Sequence, residues 1–89
     1  MIAYKIIVKG KVQGVFYRAN TLQKAKSLKL NGTVCNLKNG DVLIIAEGLK
    51  KDLDELILWC KTGPRLAVVE NVIVEDIKPQ GFADFKITH

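Results

Sequence analysis

Arg18 closes the stretch Gly10-Lys-Val-Gln-Gly-Val-Phe-Tyr-Arg18, in which two glycines precede what reads as the start of a helix. A helix N-terminus presents free N–H groups and the positive end of the macrodipole, and glycine lets the backbone bend close to a ligand without Cβ interference. An arginine there adds a permanent charge whose planar fork matches two oxygens of a phosphate. Of the fourteen basic residues only Arg18 and Arg65 are arginine. Solvating positions in this chain go to lysine, so an arginine at a helix start stands apart. These residues by themselves leave two readings open: an oxyanion site, or a plain strand-to-helix turn.

Other chemistries find fewer of their parts. Triad-type nucleophilic catalysis needs a base beside the nucleophile, and the single histidine is His89, the last residue, where chain ends are usually mobile. A cysteine phosphatase needs five residues between thiolate and arginine; four separate Cys60 from Arg65, and Cys60 lies on an apolar helical stripe. Clusters of imidazole and thiolate are missing, and Asp52, Asp54 and Glu55 sit where a solvated helix face would carry them, so no metal and no other cofactor is expected. Gly10-Lys-Val-Gln-Gly14 lacks the spacing and the Lys-Ser/Thr of a nucleotide P-loop. No candidate strand carries the aromatic run that stacks RNA bases in an RNA-recognition fold.

The elements that must position Arg18 follow from periodicity. Tyr4–Lys9 is β-branched and apolar and predicts a strand that Gly10 ends. From about Arg18 the spacing of Leu22, Ala25 and Leu28 predicts a helix that stops at Asn31-Gly32. Thr33–Leu37 and Asp41–Glu47 read as strands of a hairpin whose turn contains Asn39-Gly40, both tolerant of positive φ. Leu53, Leu56, Ile57 and Cys60 at i, i+3, i+4 and i+7 predict a second helix over about Lys50–Lys61, stopped by Thr62-Gly63-Pro64. Leu66–Ile77 is rich in valine and isoleucine; a turn at Pro79-Gln80-Gly81 then precedes a final strand over Ala83–Thr88. The order β-α-β-β-α-β with an additional short C-terminal strand predicts an α+β, ferredoxin-like two-layer sandwich, with two helices on one face of a mostly antiparallel sheet. One domain over residues 1–89 is expected. That architecture hosts enzymes, carriers and binding modules alike, so the site must decide function.

Charge places the site in the same half of the chain. Residues 1–40 hold seven lysines and Arg18 and no acidic residue, a net of +8, whereas residues 41–89 hold six basic and nine acidic residues, a net of −3. Anion attraction therefore belongs to the N-terminal half. Cys35 and Cys60 are too few for a disulfide framework and form no CxxC pair, which fits buried thiols in a reducing compartment. No apolar run approaches the length of a membrane span, and the first residues lack the apolar core of a secretory signal. A cytoplasmic location is expected.

Gly10-Lys-Val-Gln-Gly-Val-Phe-Tyr-Arg18, then Thr21 and Ala25, Gly32-Thr-Val-Cys-Asn36, Gly40, Trp59 with Gly63-Pro64, and Phe82-Ala-Asp-Phe-Lys-Ile87 together closely resemble the acylphosphatase family, over essentially the whole chain. The resemblance implies the ferredoxin-like sandwich and hydrolysis of acyl phosphates to a carboxylate and phosphate. It implies that Arg18 binds the phosphoryl group, that backbone N–H groups across Gln13, Gly14, Val15, Phe16, Tyr17 and Arg18 cradle its oxygens, and that Asn36 positions the attacking water. Without the resemblance, Asn36 reads more readily as the start of the turn toward Asn39-Gly40. Trp59 and Gly63-Pro64 are explained by packing and helix termination. Three positions depart from the family pattern: Lys29 stands where a helix-ending glycine is usual, Thr33 where tryptophan is common, and Cys35 where a basic residue is frequent. A monomer acting on small acyl phosphates, with no nucleic acid and no membrane, is the expectation. Its alternatives are a non-catalytic anion- or nucleic-acid-binding domain, or a stand-alone relative of the N-terminal domain of hydrogenase-maturation carbamoyltransferases.

Overall fold

The computed structural model, which describes residues 1–89, runs β1 (Ile2–Lys11), α1 (Tyr17–Ser27), β2 (Asn31–Asn36), β3 (Val42–Gly48), α2 (Lys50–Cys60), β4 (Val68–Ile77) and β5 (Phe85–Ile87). The sheet order is β4-β1-β3-β2-β5. Every pair is antiparallel except β2–β5, which is parallel. This is the ferredoxin-like arrangement expected from the element order, with a short fifth strand added at one edge.

Alternation decides which face holds the core. Ile6 pairs with Ile44 and Val8 with Val42 in the register of β1 and β3, and all four are fully buried. Against this face α2 presses Leu53, Leu56 and Cys60, while α1 contributes Tyr17, Thr21 and Ala25. Helix α1 is otherwise strongly polar, so its seating rests mainly on the fully buried Tyr17, with Ala25 in the core and Leu22 packed against it; the buried Thr21 hydroxyl is satisfied within the helix, donating back to the Tyr17 carbonyl at 2.8 Å.

The end of α1 differs from expectation. Asn31-Gly32 lies inside β2, and the stop comes earlier. Lys29 takes a left-handed φ of 59°; its N–H donates to the Lys26 carbonyl and the Leu30 N–H to the Ala25 carbonyl. That pair of bonds is a Schellman cap with lysine in the position where glycine costs least. Gly10 does not end β1 either: it sits at a register shift against β4 with φ 128°, and a Cβ there would lie 2.2 Å from the Val68 carbonyl oxygen. A bulge, rather than a stop, is what the glycine provides.

In the connection between β2 and β3 only Gly40 has positive φ, at 98°; Asn39 does not. The connection is longer than a two-residue turn, with Leu37 N–H donating to Asp41 O at 2.8 Å and Gly40 N–H to Leu37 O at 3.2 Å. Leu37 and Asp41 therefore belong to the loop, Leu66 and Ala67 precede β4, and β5 is confined to three residues. Cys60 is fully buried whereas Cys35 is half-buried, so only one thiol meets the expectation of burial.

Strands β4 and β5 occupy opposite edges, so the chain between them must cross the sheet. Glu47 holds that crossing. It alternates onto the face away from the helices yet is only 1% exposed, because the N–H groups of Gln80, Gly81 and Phe82 all donate to its carboxylate. The expected turn at Pro79-Gln80-Gly81 is thus part of a crossover clasped by a buried carboxylate. Its consequence is to lay Phe85–Ile87 beside β2, next to the loop that carries Arg18.

Candidate active site

The loop after β1 is anchored by alternate residues. Val12 and Val15 are buried in the core, while Gly14 and Phe16 face outward. Gly14 (φ 73°) and Phe16 (φ 64°) are left-handed and Val15 between them is not. Such alternation turns successive N–H groups toward one concave side, the geometry of an anion nest. A bulky residue in the left-handed region costs on the order of 1–2 kcal/mol and persists where the surroundings enforce it. Here the enforcement is visible: the Asn20 backbone N–H and Nδ2 both donate to the Phe16 carbonyl, at 3.1 and 2.9 Å.

From Val12 through Ala19, eight consecutive N–H groups donate to nothing within the protein. Folded proteins pair nearly all of their buried backbone donors and leave exposed ones to water, so a run of this length on one loop is open to an acceptor from outside the protein. Three of the eight belong to the first turn of α1, and that turn contains no acidic side chain. The positive end of the helix is left without an internal counter-charge.

A cavity of about 500 Å³ opens at this point, walled by Gly14, Phe16 and Arg18 of the loop and helix start, Asn36 at the end of β2, and Ile87 and His89 of the C-terminal segment. Arg18 takes part in none of the ion pairs of the molecule. The Oδ1 of Asn36 is buried and has no hydrogen-bond partner. An unsatisfied buried acceptor costs about 1–3 kcal/mol, so its persistence on a cavity wall points to a donor supplied from outside. Together the arrangement offers donors and a guanidinium to an oxyanion on one side, and an acceptor to a water or hydroxyl on the other.

Of the sequence-predicted residues, Gly14, Phe16, Tyr17, Arg18 and Asn36 border this cavity, whereas Gln13 and Val15 do not. Tyr17 directs its hydroxyl inward, donating to the Cys60 carbonyl at 2.8 Å, and its ring lies 5.4 Å from that of Trp59. Burial pushes the phenol well above its ordinary range, and pushes the Cys60 thiol up to about 12. Both stay protonated near neutrality and serve packing, as the sequence reading held for Cys60 and Trp59.

The Gln13 side chain does something its sequence position did not reveal. Its Nε2 donates to the carbonyls of Leu37 and Asp41, at 2.7 and 2.8 Å. Asp41 also accepts from Lys9 of β1 at 2.7 Å. The loop holding Arg18 is thereby tied to the hairpin that follows Asn36 by partners more than twenty residues away, a contact without local signal. His89 is the other difference. Its neighbour Thr88 donates its N–H to the Val34 carbonyl at 2.9 Å, so the C-terminal segment is held at the cavity instead of trailing free. No group of three or more His, Cys, Asp or Glu side chains is placed to hold a metal ion, and no helix is long and apolar enough to cross a membrane.

The family model for acylphosphatase matches residues 4–87. An acylphosphatase of Marinobacter nauticus is 48% identical over 87 residues, covering 97% of this chain and 95% of that protein. The crystal structure of acylphosphatase from Bacillus subtilis matches with a TM-score of 0.97 at 34% identity, covering all of both chains. Full-length HypF, in its phosphate- and nucleotide-bound form, matches with a TM-score of 0.89 at 30% identity; the match covers 99% of this chain but 12% of that one.

Proposed function

The chain belongs to the acylphosphatase family and is an acylphosphatase, hydrolysing carboxyl-phosphate anhydrides to a carboxylate and inorganic phosphate; from that premise we propose that Arg18, the N–H groups from Gln13 to Arg18, and Asn36 carry out the reaction. The observation that carries this assignment is the run of unpaired N–H groups beside Arg18. A transferring phosphoryl group spreads charge over three equatorial oxygens, and preorganised donors that need not reorient are what that charge distribution rewards.

In this reading the nest and the α1 N-terminus receive the phosphoryl oxygens, and the Arg18 fork adds two charge-assisted hydrogen bonds. Asn36 Oδ1 accepts a hydrogen bond from water and aims its lone pair at phosphorus, opposite the leaving carboxylate. The water oxygen forms the new P–O bond, the bond to the acyl oxygen breaks, and a phosphoryl oxygen takes the water's proton. Carboxylates leave readily, their conjugate acids having a pKa of about 4, so the site needs no strong general acid. The protein acts as a monomer in the cytoplasm under this proposal, on small acyl phosphates.

The assay follows loss of an aromatic acyl phosphate. Wild type hydrolyses it; Arg18→Gln loses both binding and rate; Asn36→Ala loses kcat with KM little changed. Hydrolysis by Arg18→Gln at the wild-type kcat/KM would overturn the role given to Arg18, and an unaltered kcat in Asn36→Ala would overturn that of Asn36.

A further inference from the structure

Arg65, the second arginine, takes no part in the phosphate cavity and in none of the ion pairs. It lies instead in a second cleft of about 410 Å³, lined by Val15, Phe16, Asn20, Pro64, Arg65 and Leu66. The two cavities share one wall, the exposed ring of Phe16. A molecule held by its phosphate in the first cavity can therefore continue over Phe16 into the second. On the far side Arg65 stands in a turn closed by the Ala67 N–H donating to Pro64 O at 3.0 Å, and that turn hangs from α2 through the Gly63 N–H on Trp59 O at 2.8 Å. On the near side Asn20 is fixed by its bond to the Phe16 carbonyl. Valine, proline, leucine and phenylalanine surfaces line a path between two guanidinium groups.

We propose that this second cleft receives the acyl group of the substrate and that Arg65 binds a second anionic group on it, so that acyl phosphates of dicarboxylic acids are preferred over neutral ones of equal length. This rests on the assignment of the first cavity to the phosphoryl group. A carboxylate at the far end of a short methylene chain matches the chemistry: the chain lies on apolar walls and the carboxylate accepts from the planar fork of Arg65. Because the contact is made equally in ground and transition states, it lowers KM and leaves kcat alone.

The test compares succinyl phosphate with butyryl phosphate, which has the same number of carbons and no distal carboxylate, in wild type, Arg65→Gln, Arg65→Lys and Arg18→Gln. Arg65→Gln raises KM for succinyl phosphate roughly three- to fivefold, the upper part of the range for a solvent-exposed ion pair, and leaves kcat and the butyryl reaction unchanged. Arg65→Lys retains part of the preference, and raising salt to about 0.5 M erodes it in wild type. Equal effects of Arg65→Gln on the two substrates, or no effect on either, overturn the proposal. Full activity of Arg18→Gln on butyryl phosphate would instead overturn the phosphate assignment on which it rests, and the two failures are told apart by which arginine matters to which substrate.

Discussion

Gln13→Leu tests whether the position of Asn36 relative to the Gln13–Arg18 loop, the proposed phosphate cradle, is set by side-chain tethering. The substitution keeps the backbone N–H of residue 13 and roughly the side-chain volume, and removes the bonds of 2.7 and 2.8 Å to Leu37 O and Asp41 O. Each carbonyl retains one backbone donor, Gly40 N–H on Leu37 and Leu37 N–H on Asp41. The loss is therefore of net hydrogen-bond energy, about 0.5–1.5 kcal/mol each, without a fully orphaned acceptor. A total of about 1–3 kcal/mol lowers Tm by roughly 5–25 °C in a chain of this size. Activity falls further than stability explains, since a reacting group displaced by about 1 Å loses on the order of a hundredfold in rate. We expect kcat to drop about 10- to 100-fold at a temperature where thermal melting shows the variant folded, with KM changed much less, because Arg18 and the nest remain. A folded Gln13→Leu protein with wild-type kcat would refute the tether as a positioning device.

Two further outcomes follow from the same geometry. Lys29→Gly relieves a left-handed lysine, worth about 1–2 kcal/mol, against about 0.5–1 kcal/mol of added chain entropy in the unfolded state; urea unfolding should show a net gain of roughly 0.5–1 kcal/mol with activity unaltered. Cys60 has its thiol raised by burial from an ordinary 9.0 to about 12, so above pH 9 the unfolded chain loses this proton while the folded one keeps it. The unfolded state then binds fewer protons, and stability falls as pH rises from about 9 toward 12, at up to about 1.4 kcal/mol per pH unit for this group. Below pH 8 the group contributes no slope. Denaturation measured across that range in wild type and Cys60→Ala should show the smaller alkaline loss in the variant.

Where sequence and structure part, the reason is tertiary except at the end of α1, where a local cap at Lys29 stops the helix before Asn31-Gly32. Gly10 looked like a stop because glycine commonly ends strands, but a bulge against Val68 requires the same residue, and only the pairing with β4 tells the two apart. The Asn39-Gly40 turn falls where the sequence places it, but only Gly40 uses the positive φ that both residues tolerate, in a loop whose ends Gln13 and Lys9 contact from β1 and the loop after it. Glu47 enters the sequence reading only as the last residue of a strand; its burial follows from the β4–β5 crossing laid over it. His89 reads as a loose end until Thr88 is seen bonded to β2.

The element order, the apolar stripe of α2, the glycine-bearing loop and the arginine at its end were set by local pattern, because helix and strand periods and cap chemistry act over a few residues; the face that α1 buries, Tyr17, Thr21 and Ala25, was not the Leu22, Ala25 and Leu28 spacing read from the sequence. Resemblance extended that to the family and to Asn36. Tertiary structure alone decided that eight N–H groups stay unpaired, that Asn36 keeps a buried oxygen without a partner, and that a second cleft beside Phe16 contains Arg65. These are properties of what is missing around a group once every other residue has taken its place, and no local stretch of sequence encodes an absence.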